Sequence, residues 1–181
     1  MPRITIPDGK DPFAQLWGVL GSPTLKAAAH QLTEVIYHDS PFSLRELEVA
    51  RVRIAYINDC NTCRSFRTAR AIPERGDDLD AVNEEVYDHV LDPAWSGYSE
   101  RERLAIEFAE RYALAHLTFD DAFWDRLHAH FTDDELVDLA ICVGWWIASG
   151  RPNRVFEVDE AGCQIPSEQL RQTVDRVRVG T

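Results

Sequence analysis

Three helix-start signals constrain the fold of this chain more than any other feature of its sequence. Each is a capping box, in which a hydroxyl residue is followed three positions later by a glutamate. The hydroxyl accepts a hydrogen bond from the third backbone amide of the helix, and the glutamate bonds back to the amide of the cap residue. The three pairs are Ser43 and Glu46, Ser99 and Glu102, and Thr132 and Glu135. Because each pair opens a run of apolar residues at helical spacing, the sequence predicts an all-α fold.

Apolar spacing and helix-breaking residues give the approximate bounds of the predicted helices. The predicted helices cover residues 11–39, 44–57, 60–71, 77–91, 100–116, 120–130 and 133–149. Gly21, Ser22 and Pro23 interrupt the first of these, and Pro73 and Gly76 should end the third. The stretch RPNRVFEVDEAG, which follows the last helix, is predicted to be a loop.

Composition excludes several classes of protein. The chain has 181 residues, which is enough for one domain with a full core. Its formal net charge is −12, whereas nucleic-acid binding usually needs a basic face. The longest apolar stretch, LVDLAICVGWWIASG, is shorter than a bilayer span and contains Asp138, so it predicts a buried helix and no membrane association. Because the first residues lack an apolar signal core and four cysteines do not make a disulfide scaffold, we expect a cytoplasmic protein.

The segment NDCNTCRSFRTAR contains the one closely spaced pair of cysteines. Residues three apart on a helix share a face, so Cys60 and Cys63 can approach closely enough for a disulfide. A helix that restarts at this pair also offers free backbone amides to a thiolate. Arg64 and Arg67 follow the two cysteines at a distance of four positions each, and their charges should lower the thiol pKa. These features favour a reactive dithiol.

Two other interpretations of the cysteine pair stay open at this point. In a helix, such a pair can be two small hydrophobic residues, although the Asn, Thr, Ser and Arg residues around it favour redox chemistry. A structural zinc site commonly takes four ligands from two such pairs. The sequence has no second pair, and His128 and His130 are two positions apart, which directs them to different sides of a helix. Cys142 lies in an apolar run and is predicted to belong to the core.

The segment SLRELEVARVRIAYINDCNTCRSFRTARA resembles the signature of the carboxymuconolactone decarboxylase and alkylhydroperoxidase D (AhpD-like) superfamily. The shared features are a capped helix that carries a glutamate, an Asn or Gly turn, and Cys-x-x-Cys on the next helix. The segments YSERERLAIEFAERYA and FTDDELVDLAICVGWWIASGRPNRV resemble the downstream helices of the same superfamily. The resemblance covers roughly residues 40–155 and is most specific between Ser43 and Ala71.

This resemblance implies an AhpD-like helical bundle that assembles as a homo-oligomer, in dimers, trimers or hexamers. It implies a single domain over residues 1–181, in which residues 1–40 form an N-terminal extension and residues 156–181 form a C-terminal tail.

In the peroxidase branch of the superfamily, the second cysteine attacks the peroxide and the first cysteine resolves it as a disulfide. Carried over by position, the resemblance implies Cys63 as the nucleophile, Cys60 as the resolving thiol, and Glu48 as a proton-relay carboxylate. The relay histidine of that branch falls on Arg67, and a second histidine position falls on Thr62. The implied substrate is a small hydroperoxide, the implied partner is an external dithiol reductant, and the thiol steps need no metal or organic cofactor.

The replacement of the histidine by Arg67 changes the expected chemistry. Arginine does not deprotonate in proteins, so it cannot pass on a proton as imidazole does. It can stabilise a thiolate or pair with Glu48, and we expect a competent dithiol with slow or differently tuned peroxidase turnover. The alternative for Glu48 is a helix-surface acid that pairs with Arg45, Arg51 or Arg53.

Two other functions remain in view. A carboxymuconolactone decarboxylase-like enzyme would act on a small lactone or carboxylate, which Arg53, Arg64 and Arg67 could bind. A non-catalytic, redox-sensing oligomeric module would use the same dithiol as a switch. Trp145 and Trp146 are predicted to lie in the core or a subunit interface. No motif includes the six histidines, which are His30, His38, His89, His116, His128 and His130.

Overall fold

The chain folds around one nearly fully buried helix, α3. A computed structural model describes residues 1–68 and 83–159. In chain order the elements are α1 (Pro12–Ala14), a π-helical segment (Gln15–Val19), α2 (Pro23–Asp39), α3 (Leu44–Ile57), α4 (Asn61–Ser65), α5 (Glu84–Asp88), α6 (Glu100–Leu114), α7 (Asp121–His128) and α8 (Asp133–Val155). These two ranges contain no strand, and the predicted all-α fold is confirmed.

Helix α3 packs against α6 and α8 and also contacts α4 and α5. Its buried apolar residues are Leu44, Leu47, Val49, Ala50, Val52, Ile54 and Ala55. Its buried charged residues all form ion pairs, namely Glu46 with Arg101, Glu48 with Arg51, and Arg53 with Glu110. Because a buried charge is costly unless it is paired, these contacts allow a charged helix to occupy the centre of the bundle.

All three predicted capping boxes are present and lie together at one end of the bundle. Two arginines join them. Arg45 donates to Glu102, and Arg101 donates to Glu46 at 2.5 Å and to Glu135 at 2.9 Å. The 14 residues of α3 span about 21 Å, so the segment after its last residue lies far from these boxes.

Two predicted helices are shorter in the structure. Helix α4 ends at Ser65, because Phe66 takes an extended conformation, so the predicted continuation of the helix is wrong at residues 66–68, and residues 69–71 lie outside the described residues. Pro73 and Gly76 lie outside the described residues. Of the predicted helix over residues 77–91, the described part contains Glu84–Asp88.

Helix α8 is longer than predicted, and the loop expected from residue 151 is wrong up to Val155. Pro152 lies inside this last turn, where it removes a backbone hydrogen bond. Contacts with distant parts of the chain offset that loss. Arg151 donates from Nε to Asn58 at 3.2 Å, and Trp17 donates from its indole to Asn153 at 2.7 Å.

The N-terminal segment is attached to the bundle through α2 and through the end of α8. Ile36 and Tyr37 of α2 are buried in the core. The backbone amide of Arg3 donates to the carbonyl of Phe156 at 2.9 Å, and its side chain pairs with Glu157. Among the helices in the described ranges, none combines the length and the apolar composition that crossing a membrane requires.

Candidate active site

Cys60 and Cys63 follow the turn between α3 and α4. Asp59 takes the left-handed conformation in this turn, with a φ of 53°, which aspartate tolerates better than most residues. Cys60 is the N-cap of α4, and its Sγ accepts a hydrogen bond from the amide of Cys63 at 3.1 Å. A disulfide joins the two residues, whose Cα atoms are 5.2 Å apart. The prediction that this spacing brings the two sulfurs together is confirmed.

The two cysteines differ in their access to small molecules. Cys60 is fully buried, whereas Cys63 is partly buried and lines a cavity of about 350 Å³. The aromatic residues that line this cavity are Phe13, Trp17, Tyr37, Phe66, Trp145 and Trp146. The sulfur of Cys63 is therefore the one that a molecule in the cavity can reach.

Glu48 is fully buried and accepts four hydrogen bonds. Arg51 donates Nε to Oε1 at 2.6 Å and Nη2 to Oε2 at 2.9 Å. The hydroxyls of Tyr37 and Tyr87 donate to Oε1 at 2.9 Å and to Oε2 at 2.8 Å. Arg51 is one of the partners that the sequence offered for Glu48. The pairing is found, but inside the core and not on a helix surface.

The hydrogen bonds decide the protonation of this cluster. Burial alone would raise the pKa of Glu48, but the Arg51 guanidinium and the hydrogen bonds to the carboxylate hold it below its ordinary value of 4.5. Burial and the nearby charge of Glu48 raise the pKa of Tyr37 and of Tyr87. At neutral pH the carboxyl group is therefore ionised, and both phenols keep their protons.

Arg51 connects the buried carboxylate to the dithiol segment. Its Nη1 donates to the carbonyl of Cys63 at 2.7 Å, and its Nη2 donates to the carbonyl of Phe66 at 2.7 Å. Carbonyls at the end of a helix lack partners within the helix, and the guanidinium satisfies them. Glu48 is therefore connected to the dithiol segment through Arg51, which binds both the carboxylate and the backbone of Cys63.

Arg67, at the position of the expected relay histidine, contacts α5. Its Nη2 donates to Glu84 at 2.8 Å, and its guanidinium lies 4.0 Å from the centre of the Tyr87 ring. Helix α4 ends before this residue, so the helical register that would place Arg67 one turn from Cys63 does not continue. The pairing with Glu48 that the sequence allowed is taken by Arg51.

Arg64 also pairs with a carboxylate. Its buried side chain donates from Nη2 to Asp59 at 2.6 Å, and its guanidinium lies 5.1 Å from the centre of the Tyr56 ring. The two cations that the sequence assigned to the sulfurs thus each bind an acidic side chain, which reduces the charge available to a thiolate.

An asparagine of α8 that the sequence gave no role contacts both sulfurs. The Nδ2 of Asn153 lies 3.3 Å from the Sγ of Cys60 and 3.5 Å from the Sγ of Cys63. The indole of Trp17 donates to its Oδ1 at 2.7 Å. Local sequence patterns contain no signal for this site, because Asn153 follows the cysteines by 90 residues or more.

Asp159 binds the first amides of α4. Its carboxylate accepts hydrogen bonds from the amides of Asn61 and Thr62, the second at 2.8 Å, and from the Thr62 hydroxyl at 2.5 Å. The sequence predicted that these amides would stabilise a thiolate, but in the structure they donate to the carboxylate of Asp159. A negative charge is favourable at a helix start, but beside Cys63 it opposes a second negative charge.

The remaining predicted residues lie in the core or along the cavity. Cys142 is buried in α8, as predicted, and burial raises its pKa to about 12. Trp146 belongs to the core, and Trp145 donates from its indole to Thr33 at 3.0 Å. Of the six histidines, His30 lines the cavity beside Cys63. Cys163 lies outside the described residues.

The described residues do not include three or more His, Cys, Asp or Glu side chains grouped closely enough to hold a metal ion. His128 is close to Asp133, at 3.4 Å from Nδ1, and stacks on Trp124.

Comparison with known proteins gives a partial sequence match. No family model matches the chain. Over 73 residues the chain is 37% identical to the uncharacterized protein YnjA of Escherichia coli strain K12. The matched segment covers 40% of this chain and 40% of that protein, which is less than two thirds of its length.

Solved structures match over most of the chain. An uncharacterized peroxidase-related protein of Ralstonia eutropha, described as an alkylhydroperoxidase AhpD core, has a TM-score of 0.59 and 19% identity over 82% of this chain and 74% of that one. An uncharacterized peroxidase-related protein of Silicibacter has a TM-score of 0.61 and 18% identity over 83% of each chain. A protein of unknown function from Agrobacterium tumefaciens, described as a candidate AhpD antioxidant defence protein, has a TM-score of 0.63 and 20% identity over 92% of this chain and all of that one.

Proposed function

We propose that this chain, whose fold is that of the AhpD-like proteins, is a thiol-dependent peroxidase that reduces small hydroperoxides. One observation carries the proposal: Cys63 lines an aromatic cavity, while its disulfide partner Cys60 is buried directly behind it. This arrangement supports the division of roles that the sequence implied, with an accessible nucleophile and an inaccessible resolving thiol.

The proposed reaction has three steps. The thiolate of Cys63 attacks the terminal oxygen of a hydroperoxide, the O–O bond breaks, and the departing alkoxide or hydroxide takes up one proton. The thiol of Cys60 then displaces hydroxide from the Cys63 sulfenic acid, which forms the disulfide and releases water. An external dithiol reduces the disulfide by two electrons and two protons and is itself oxidised to a disulfide.

Glu48 has a positioning role in this proposal. It is ionised at neutral pH, so it cannot donate the proton that the departing oxygen needs. It holds Arg51, which fixes the peptide of Cys63. We assign the proton donor to His30, whose imidazole lines the same cavity. Arg67 has no direct part in the step and keeps α5 beside the site through Glu84.

The decarboxylase-like alternative loses its main support. Each of the three arginines that it would use to bind a carboxylate forms an ion pair within the chain. The pairs are Arg53 with Glu110, Arg64 with Asp59, and Arg67 with Glu84. Binding an acidic substrate at any of them would have to break an existing contact.

The test is peroxide consumption by the reduced protein, followed with hydrogen peroxide and an organic hydroperoxide and with dithiothreitol as reductant. We expect Cys63→Ser to abolish turnover. When dithiothreitol is removed before the peroxide is added, Cys60→Ser should react once and leave a sulfenic acid on Cys63, which dimedone labelling and peptide mass spectrometry detect. Cys142→Ser is the matched control, because that thiol is buried in the core away from the cavity lining.

Two outcomes would contradict the proposal. Equal peroxide consumption by Cys63→Ser and the unmodified protein would remove Cys63 from the nucleophile role. Negligible turnover by the unmodified protein, together with a change of oligomeric state on oxidation, would favour the redox-sensing module instead.

A further inference from the structure

The charges around the dithiol do not by themselves explain how a thiolate is stabilised there. Arg51 binds Glu48, and the two cations that follow the cysteines bind acidic side chains as described above. The first amides of α4 bind Asp159, whose charge disfavours a thiolate. The amide of Cys63 donates to the Sγ of Cys60, so a group that stabilises negative charge on the Cys63 sulfur must act from another direction.

Asn153 approaches the two sulfurs from α8. It is 2% exposed, so its amide has no water shell to satisfy it. Its Oδ1 accepts the indole proton of Trp17 at 2.7 Å. Because an indole nitrogen only donates, this contact fixes the oxygen of the amide toward Trp17 and directs the Nδ2 hydrogens to the sulfurs.

We infer that Asn153 is a catalytic residue of the proposed peroxidase, which donates a hydrogen bond from Nδ2 to the reactive sulfur of the dithiol. Trp17 is the positioning residue that sets the orientation of the amide. The catalytic role of Asn153 rests on the proposed function, whereas the hydrogen bond from its Nδ2 to the sulfurs does not depend on peroxide turnover.

The position of Nδ2 serves both halves of the reaction. It lies 3.5 Å from the sulfur of Cys63, where the first thiolate forms, and 3.3 Å from the sulfur of Cys60, where the second attack begins. The same donor also stabilises whichever sulfur leaves as a thiolate when the external dithiol cleaves the disulfide.

Removal of the donor should raise the pKa of the Cys63 thiol. A hydrogen bond to a charged group favours the ionised form by about 10- to 100-fold, which corresponds to a pKa change of about 1 to 2. The readout is the rate at which iodoacetamide alkylates Cys63 in the reduced protein, measured by peptide mass spectrometry from about pH 5 to about pH 10. This measurement requires no peroxide.

Three variants separate the donor from its surroundings, and a fourth is the matched control. Asn153→Leu removes the amide and keeps a similar volume. Asn153→Asp keeps the shape and replaces the NH₂ group by oxygen, so it should raise the thiol pKa further. Trp17→Phe keeps an aromatic ring and removes the N–H, and we expect a smaller rise in the same direction. Asn83→Asp adds the same charge at an exposed N-cap, where aspartate caps equally well, and should leave the Cys63 titration unchanged.

The outcomes decide between the inference and the proposed function. A thiol pKa of Asn153→Leu within about 0.3 of the unmodified value, against the expected 1 to 2, overturns the inference, whether or not peroxide is consumed. If Asn153→Leu does not fold, Trp17→Phe decides, because it adds no charge and removes the N–H that orients the amide. A raised thiol pKa in a protein that does not consume peroxide supports the Asn153 contact and overturns the peroxidase proposal. A raised thiol pKa together with a slower peroxide reaction supports both.

Discussion

Substitution of Glu48 by glutamine tests the buried cluster that holds the dithiol segment. The carboxylate receives two hydrogen bonds on each oxygen, and it is fully buried. Glutamine keeps one acceptor oxygen and places an NH₂ group where the second oxygen lies. The donors that lose their acceptor are Nη2 of Arg51 and the hydroxyl of Tyr87, if the amide oxygen replaces Oε1.

The expected loss of stability follows from these contacts. A buried donor without an acceptor costs about 1–3 kcal/mol, so two such donors cost about 2–6 kcal/mol. Breaking a buried ion pair by removing one charge costs about 3–5 kcal/mol, which lies within that range. We expect Glu48→Gln to lower the free energy of unfolding by about 3–5 kcal/mol, or the melting temperature by roughly 6–20 °C at about 2–4 °C per kcal/mol.

The matched control is Glu84→Gln, which removes one charge from an ion pair whose carboxylate is 52% exposed. Exposed pairs contribute at most about 1 kcal/mol, so this variant should stay close to the unmodified protein. The assay is urea unfolding of the oxidised protein, followed by far-ultraviolet circular dichroism. If Glu48→Gln lost no more stability than Glu84→Gln, the cluster would not hold the dithiol segment as described.

The pH dependence of the stability lost in Glu48→Gln tests whether the carboxyl group of Glu48 is ionised in the folded protein. The pKa of Glu48 in the folded protein lies below its ordinary value of 4.5. A group with a lowered folded pKa stabilises the protein above its unfolded pKa, and this contribution disappears as the pH falls through the folded pKa. The difference in stability between the unmodified protein and Glu48→Gln should therefore be constant near neutral pH and shrink below about pH 4.5. A difference that grew on acidification would refute the assignment of an ionised carboxylate.

Three further predictions concern the packing and the other thiols. Gly150→Ala places a methyl group 2.5 Å from Nδ2 of Asn58, whereas in Gly144→Ala the nearest atom is 3.9 Å away. Gly150→Ala should lower the free energy of urea unfolding by about 1–3 kcal/mol, and Gly144→Ala should not lower it. Equal effects of the two substitutions would contradict the described packing of α8 on the turn between α3 and α4. Cys142, with a pKa raised to about 12 by burial, should resist alkylation in the folded protein at pH 8, and mass spectrometry of that peptide would reveal the opposite. Arg67→Gln should leave the titration of the reactive thiol unchanged, because the guanidinium of Arg67 binds acidic and aromatic groups of α5. A raised thiol pKa in this variant would show that Arg67 stabilises the thiolate.

The sequence predicts helix starts well because each start depends on contacts within four residues. The capping boxes at Ser43, Ser99 and Thr132 open helices in the structure where the sequence places them. Helix ends depend on distant partners. The end of α8 involves a bond between Trp17 and Asn153, which are 136 positions apart. No local pattern contains that information, and the predicted end was therefore six residues early.

The same distinction applies to the candidate site. The closeness of the two cysteines follows from their spacing, and the pairing of Glu48 with Arg51 is a local contact three positions apart on one helix. The partner of Arg67 comes 17 positions later, from a different helix. Asp159, which binds the start of α4, follows it by 97 positions or more. The sequence contains all of these charged residues, but which of them pair with one another depends on how the fold brings distant segments together.

These partner choices change how the dithiol is tuned. The sequence places arginines after both cysteines and suggests that positive charge activates the thiols. In the structure Arg64 and Arg67 each bind a carboxylate, and Asp159 adds a negative charge beside the first turn of α4. Besides the backbone amide that donates to Cys60, the side-chain amide of Asn153 contacts both sulfurs, and it is a neutral dipole in a buried position. Because salt screens exposed charges far more than buried hydrogen bonds, a thiol stabilised in this way should keep its reactivity as ionic strength rises.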